Sequence, residues 1–389
     1  MDLGFQRIVD RNIGTLLCRI LSLLPERDRS PERDVLPKHI LVILLSEMGS
    51  LVLAAPMFRR IRDKFPLASV HILIFEKNRE MLEILGVVPP ENILTLQDAS
   101  FADFAADSLR AMRRMRRIGI DAVIDCELFA RVSSIFSFLS GAPVRAGFHP
   151  QTQEGLYRGS FINRPVLYNP YHHITRQFVD MVDTLDSHAV SASKLPERDI
   201  RFEIPRMDLE AGEKEAMRER LYRDFPPLRE KGLILMTPGG GILPIRAWPP
   251  ESYIAVAREL LARGYAVAVT GFPSDRPLGE AILAQCHSPS CANLAGYTRT
   301  VRELMVLFHL SRLLITNDGG PGQFSAMTPV PAIVLYGPET PALYGVLNDK
   351  TINIFASLSC SPCLTAYNHR HSPCDGDNLC LKSIAPQAV

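Results

Sequence analysis

The sequence predicts an α/β protein of two successive domains, each built on a parallel β-sheet. Three observations carry this. Short apolar runs alternate with segments of helical spacing along most of the 389 residues. The runs are continuous rather than alternating, as strands buried on both faces require. A glycine-bearing turn follows the first strand of each series, at Met48-Gly49-Ser50 and at Gly239-Gly240-Gly241. Length alone also exceeds that of one ordinary domain.

Residues 1–37 stand apart from the alternation. Phe5, Ile8, Val9, Ile13, Leu16, Leu17, Ile20, Leu21 and Leu24 fall at helical spacing, with Arg7, Arg11 and Arg19 between them. Two readings stand. Such a helix lies on an anionic membrane surface, or it packs on the body of the protein or on a second copy. The charged, proline-bearing run from Pro25 to Asp34 reads as a tether.

Residues 38–190 form the first domain. Strands are expected at 39–45, 70–75, 92–96 and 122–125. The turn Ser46-Glu47-Met48-Gly49-Ser50 leads from the first strand into a helix over about 51–64. Arg110, Arg113, Arg114, Arg116 and Arg117 lie on the helix before the fourth strand, where they meet anions or form a solvated face. Residues 191–230 have weak periodicity and are expected to connect the domains. Residues 231–358 form the second domain, with strands at 233–237, 265–270, 293–294, 313–316 and 331–336 and helices near 251–263, 276–285 and 300–310. Residues 359–389 are a cysteine-rich close to the chain. The two domains are expected to face a cleft.

Composition narrows the function. A net charge of +1 argues against a whole-surface nucleic-acid binder, so no nucleic-acid partner is expected. No stretch approaches 18 consecutive apolar residues, so no transmembrane helix is expected. The N-terminus interleaves charge with apolar residues and lacks the plan of a signal peptide. A cytoplasmic location follows as the expectation, with the eight cysteines reduced by default.

Three loops of the second domain carry the candidate chemistry. They are Gly239-Gly240-Gly241, Gly271-Phe272-Pro273-Ser274-Asp275, and Asp318-Gly319-Gly320-Pro321-Gly322-Gln323. The last sits between a strand and a helix, where free backbone N–H groups and the helix dipole suit a diphosphate. A glycine–proline turn with no ligand is the alternative. Asp318 stands at the strand's carboxyl end, where open α/β sheets bind ligands. No G-x-G-x-x-G occurs: counted from Gly239 the last position is Pro244, and from Gly320 it is Ser325. No G-K-[ST] loop occurs either, which disfavours nicotinamide and P-loop chemistry. Cys360-x2-Cys363-x10-Cys374-x5-Cys380 reads as a possible Zn2+ site or as a reduced loop near the donor.

The order of motifs resembles family-nine glycosyltransferases, the family of the lipopolysaccharide heptosyltransferases. The resemblance runs from about His39 to Ile384. It rests on Met48-Gly49-Ser50-Leu51-Val52-Leu53-Ala54-Ala55-Pro56, on Asp125-Cys126-Glu127 with Arg131, and on Arg145-Ala146-Gly147-Phe148. In the second half it rests on Arg246-Ala247-Trp248-Pro249, Asn293-Leu294-Ala295-Gly296, Thr316-Asn317-Asp318-Gly319-Gly320-Pro321 and Tyr336-Gly337-Pro338-Glu339-Thr340-Pro341. The resemblance implies a GT-B fold of two Rossmann-like domains. It implies an inverting, metal-independent transfer of a heptose-like sugar from a nucleotide-diphosphate donor, expected to be an ADP-sugar. The implied acceptor is lipopolysaccharide or another lipid-linked glycan, taken at the inner face of the cytoplasmic membrane, with no cofactor required. The donor would meet Gly239, Gly240, Gly241, Arg246, Asp275, Asp318, Gly319, Gly320, Gln323 and Glu339. Glu127 and Arg131 would meet the acceptor. Arg246 and the helix start at Gly320 would hold the leaving diphosphate in place of a cation.

Two positions depart from the family's pattern. Where its first turn reads Gly-Asp, with the aspartate as proposed base, this chain has Ser50. A serine hydroxyl is far too weakly basic for that role unaided. Glu47 in the same turn is the nearest carboxylate and the candidate base, with Ser50 as a hydrogen-bonding partner; Glu127 and Asp125 come next. As an alternative, Glu47 is only a turn or cap residue. The second departure is Gln323, which stands where the family often has histidine. Ser50 also keeps open a catalytically silent sugar-nucleotide binder acting as a scaffold.

Overall fold

The computed structural model describes residues 3–24, 36–45, 47–128, 130–149, 157–186, 202–241, 243–365, 372, 374 and 377–389. The run from Pro25 to Asp34 and residues 191–201 of the expected connection lie outside them. The chain divides into two compact units between Phe202 and Glu203.

The first unit contains strands β1 (His39–Ile43), β2 (Ser69–Phe75), β3 (Ile93–Leu96), β4 (Ala122–Asp125), β5 (Val144–Phe148) and β6 (Arg164–Val166). They form one parallel sheet in the order β3-β2-β1-β4-β5-β6. The second unit contains β7 (Leu233–Thr237), β8 (Ala266–Gly271), β9 (Cys291–Ala295), β10 (Leu313–Asn317), β11 (Ala332–Tyr336) and β12 (Thr351–Phe355). Its parallel sheet runs β12-β11-β10-β7-β8-β9. Both follow one plan. The chain starts in the middle, walks to one edge, then crosses the first strand and walks to the other. This is the Rossmann arrangement. Its direction reverses between β1 and β4 in the first unit and between β7 and β10 in the second. Loops leaving the two strands there part to opposite faces and open a crevice at the carboxyl ends.

The central strands are apolar throughout because helices cover both faces of each sheet. Ile40, Leu41, Val42 and Ile43 are wholly buried, and all five residues of β7 are buried. Leu41, Ile43, Leu73 and Val123 pack with Met115 and Phe136 on one side of the first sheet. In the second unit Met236, Val269 and Leu335 pack with Trp248, Tyr253, Leu381 and Ile384. The C-terminal helix Leu379–Lys382 therefore contributes to that unit's core.

Three strands were not expected from the sequence. β5 is interrupted by Arg145 and Gly147, β6 contains Pro165, and β12 is half-exposed at a sheet edge. None forms the continuous apolar run that marks a central strand. The first helix of the sheet also begins earlier than expected, running Met48–Lys64. Gly49 and Ser50, which read as turn formers, lie inside its first turn. In the helix Phe101–Ile118 two of the five arginines bind backbone of the same unit. Arg114 Nη1 donates to Ile93 O at 3.3 Å and Arg116 Nε to Leu139 O at 2.7 Å. Among the described residues no helix is long and apolar enough to cross a membrane.

Candidate active site

In the second unit, β7 leads to Gly239-Gly240-Gly241 and then to the short turn Pro244–Arg246, while β10 leads to Asp318. Arg246 and Asp318 thus reach the crevice from the two sides of the strand-order reversal. Arg246 Nη2 donates to Glu339 Oε2 at 2.7 Å, and Arg246 Nε lies 3.6 Å from Asp318 Oδ2. All three side chains are buried. One guanidinium between two carboxylates holds a fixed plane, and each charge limits the desolvation cost of the others. The neighbouring Tyr336 hydroxyl has its pKa pushed well up, by burial first and then by the charges of Asp318 and Glu339.

Asn317, the last residue of β10, ties the loops together. Its Oδ1 accepts from Trp248 N and from Tyr253 Oη, each at 3.0 Å. Its Nδ2 donates to Pro238 O at 2.8 Å and to Gly239 O at 3.1 Å. The sequence reading gave it no role, although its place inside the Thr316–Pro321 motif was the available signal. Trp248 is anchored further by Nε1 donating to Ile384 O at 3.1 Å, and Asp318 N donates to Leu335 O at 2.9 Å.

Asp275 caps its own turn: Oδ2 accepts from Phe272 N at 2.8 Å. Its carboxylate also lies over the ends of β7 and β8. A Cβ at Gly239 would come within 2.9 Å of Asp275 Oδ1, and one at Gly271 within 2.6 Å of Oδ2. At Gly271 the Asp275 Cβ would also lie within 2.9 Å, so Asp275 leaves room only for glycine there, while at Gly239 only the carboxylate tip is crowded. Gly240 and Gly241 complete the turn.

The third loop differs from its expected use. The helix Gly320–Ser325 has only 6 residues, and Gly319 before it is extended at φ 166°. Few peptide dipoles align in so short a helix, so its start adds little positive charge. Gln323 is buried, and its Nε2 donates to Tyr344 O at 2.8 Å.

In the first unit the corresponding crevice lies between β1 and β4. Glu47 occupies the N-cap position of the helix Met48–Lys64 with extended backbone, φ −130° and ψ 137°, yet its side chain makes no capping hydrogen bond. Ser50 sits in the helix, its N–H donating to Glu47 O at 3.0 Å. Glu127 is buried and joins the two strand ends: its Oε1 accepts from Leu45 N at 2.6 Å, and its N–H donates to Asp125 Oδ1 at 3.1 Å.

Asp125 is wholly buried and ion-paired to Arg158, with Ser133 Oγ donating to its Oδ2 at 3.1 Å. Burial pushes its carboxyl above the ordinary range, and Arg158, Ser133 and the Glu127 amide oppose that rise. A carboxylate closed off in this way is structural, which removes it from the candidate bases. Arg158 escaped the sequence reading because Tyr157-Arg158-Gly159 belongs to no periodic segment. Arg131 is also buried. Its N–H donates to Asp10 Oδ1 at 3.0 Å and its Nη1 to Asp10 Oδ2 at 3.3 Å, so it engages the N-terminal helix.

The four C-terminal cysteines differ in setting. Cys360 and Cys374 are exposed, Cys363 is half-buried and Cys380 is buried against the second unit's core. Ser372 Oγ donates to Cys363 Sγ at 3.1 Å. Among the described residues no three Cys, His, Asp or Glu side chains gather to hold a metal ion. Cys363 N and Leu364 N instead donate to Pro338 O at 2.9 and 2.8 Å, so this segment braces the loop that carries Glu339.

Two Rossmann-ordered units, the second with a buried arginine–carboxylate cluster where its strand order reverses, place the chain among the GT-B glycosyltransferases. Residues 108–372 match the model for "Glycosyltransferase family 9 (heptosyltransferase)", and the chain belongs to that family. It is a glycosyltransferase. It is 24% identical over 314 residues to lipopolysaccharide heptosyltransferase 2 of Salmonella typhimurium, covering 80% of this chain and 86% of that protein. The solved structure of E. coli ADP-heptose lps heptosyltransferase II superposes with a TM-score of 0.68 at 21% identity, covering 90% and 96% of the two chains. E. coli heptosyltransferase WaaC has been solved with ADP and with ADP-2-deoxy-2-fluoro heptose. Those structures give TM-scores of 0.62 and 0.61 at 14% identity, each covering 90% of this chain and 97% of WaaC.

Proposed function

We propose that the enzyme transfers a heptose-like sugar from an ADP-linked donor to a lipopolysaccharide or other lipid-linked glycan acceptor. Transfer proceeds with inversion and without a divalent metal. The observation that carries the reading is Arg246, held between Asp318 and Glu339 where the second sheet's strand order reverses. A permanent cation there can meet charge as it develops on the leaving diphosphate, the task a metal performs elsewhere. What the family relatives are named for, ADP-heptose and lipopolysaccharide, supports the ADP-heptose donor and the lipopolysaccharide acceptor.

In this reading Glu47 takes the acceptor's proton. It lies at the carboxyl end of β1 beside the strand-order reversal, and backbone there is extended. Direct attack by an acceptor hydroxyl activated in this way inverts the anomeric centre. The alternative, a silent sugar-nucleotide binder, draws on Ser50, whose hydroxyl cannot replace a carboxylate base.

Isothermal titration with ADP, UDP and GDP tests the donor. ADP should bind at least tenfold more tightly than the other two, and equal affinities would contradict an ADP-selective site. NMR of the product's anomeric proton tests the stereochemistry. Retention of the donor's configuration would overturn the single-displacement mechanism.

A further inference from the structure

The N-terminal helix has two faces, and the body of the first unit uses only one. Leu3–Val9 and Thr15–Leu21 are α-helical and are joined by a π turn at Asp10–Gly14. Asp10, Gly14, Cys18 and Ser22 form the docked side. The Asp10 carboxylate accepts from Arg131 N at 3.0 Å and Val132 N at 2.9 Å, capping the helix Arg131–Ser140, whose own N-cap Ala130 supplies no side-chain cap. Gly14 is buried so tightly that a Cβ would come within 2.9 Å of Arg131 Cβ. Cys18 is wholly buried. Ser22 Oγ accepts from Ser160 N at 3.0 Å and from Tyr157 Oη at 2.8 Å. A uniform four-residue spacing drifts around an α-helix, and the wide π turn offsets part of that drift.

The other side is apolar and open. Ile13, Leu16 and Ile20 are 54%, 59% and 50% exposed, and Ile8, Leu17, Leu23 and Leu24 are exposed with them. Arg11 and Arg19 are exposed among these residues. The docked side supplies the polar and capping contacts that position the helix. The open apolar residues keep a large part of their surface clear of this unit, and a patch of this kind marks an interaction surface.

We infer that this outward face seats on an anionic phospholipid surface. Charge complementarity selects that occupant. Between residues 3 and 24 the single acid is Asp10, and its carboxylate is turned inward to cap the helix Arg131–Ser140. The outward face therefore presents apolar residues with cations and no acid. A second copy would bring arginines against arginines with nothing to neutralise them, since a two-fold contact pairs a surface with itself. A leaflet of anionic headgroups over hydrocarbon supplies both the charge and the apolar phase the face needs. The inference concerns this helix alone and stands independently of the donor and acceptor assignments.

Vesicle co-sedimentation of the full chain tests it, with phosphatidylcholine vesicles compared against phosphatidylcholine–phosphatidylglycerol vesicles. The unaltered chain should bind the anionic vesicles and bind the neutral ones at least tenfold more weakly. Leu16→Asp with Ile20→Asp, at exposed positions, should keep the melting temperature and lose at least tenfold in binding. Arg11→Gln with Arg19→Gln should lose about twenty-fold, and that loss should vanish in high salt. Equal binding by the Leu16→Asp/Ile20→Asp variant and the unaltered chain would overturn the inference. It would also fail if the chain ignored vesicles but formed a dimer that the same substitutions dissolved, which would assign the face to a second copy.

Discussion

Arg246 and Glu339 form a buried ion pair, Nη2 to Oε2 at 2.7 Å, across 93 positions of the chain. Asp318 flanks the same guanidinium from the end of β10, with 3.6 Å between Nε and Oδ2. The trio ties a buried positive charge to the stability of the second unit.

Arg246→Ala should therefore act twice. It should weaken ADP binding by about 1.5–3 kcal/mol through the lost charge-assisted contact. It should also lower unfolding stability by about 3–5 kcal/mol, because two buried carboxylates lose their counter-ion. Asp318→Ala should weaken ADP binding by a similar amount by releasing one side of the guanidinium. Calorimetry with ADP and urea unfolding read the two effects separately. Unchanged ADP affinity in both variants would remove the diphosphate from this cluster.

Activity should survive chelation. Asp318 and Glu339 are both engaged by Arg246, whose guanidinium stands where a metal would otherwise sit between them. Turnover in excess EDTA should match that of the untreated enzyme, with metal analysis run alongside. Loss of turnover in a protein that stays folded, restored by added Mg2+ or Mn2+, would show a metal-assisted mechanism.

His71 should make stability fall in mild acid. It is buried on β2 next to His39, with ring centroids 5.7 Å apart. Burial, and then the charges of His39 and Arg114, lower its pKa from 6.5 to about 4. The folded state thus holds the ring neutral where the unfolded chain would protonate it. Its contribution is complete above pH 6.5 and is lost as pH falls toward 4. His71→Gln should shrink the stability difference between pH 7 and pH 4.5 by about 2 kcal/mol, read from urea midpoints. An identical pH dependence in the variant would show that His71 is not the group responsible.

The sheets were readable because their central strands are buried on both faces. Ile40–Ile43 and Leu233–Thr237 have no polar face to interrupt the apolar run, so each strand and its following loop could be placed. The edge strands β6 and β12 were not readable, since they alternate with polar or proline positions that also occur in loops. The glycines around Asp318 and Gly239 marked the turns at the carboxyl ends of β10 and β7. What they could not show is that Asp275 crowds Gly239 and Gly271, or that Asn317 joins the loops through four hydrogen bonds. The Asn317 bonds link residues 64 to 79 positions apart, and no local pattern encodes them. The contacts of Arg131 and Asp125 were hidden for the same reason. Their partners, Asp10 and Arg158, come from segments with no periodic relation to them.

Glu47→Gln should retain ADP affinity while turnover falls by about 10²–10⁴, the usual contribution of a positioned base. Ser50→Asp in that background should restore part of the loss, because it adds a carboxylate within the same helical turn. Normal turnover in Glu47→Gln would move the base to another group, with Glu127 the next carboxylate.

The most direct test of the central claim is a transfer assay with ADP-heptose and a lipid-linked lipopolysaccharide-core acceptor, read by mass spectrometry of the acceptor and by ADP release. The unaltered chain should add one heptosyl unit per acceptor and release one ADP for each unit added, and Arg246→Ala should lose both signals together. A folded, ADP-binding chain that leaves the acceptor mass unchanged across a panel of such acceptors, with no ADP released, would contradict the account and leave a sugar-nucleotide binder in its place.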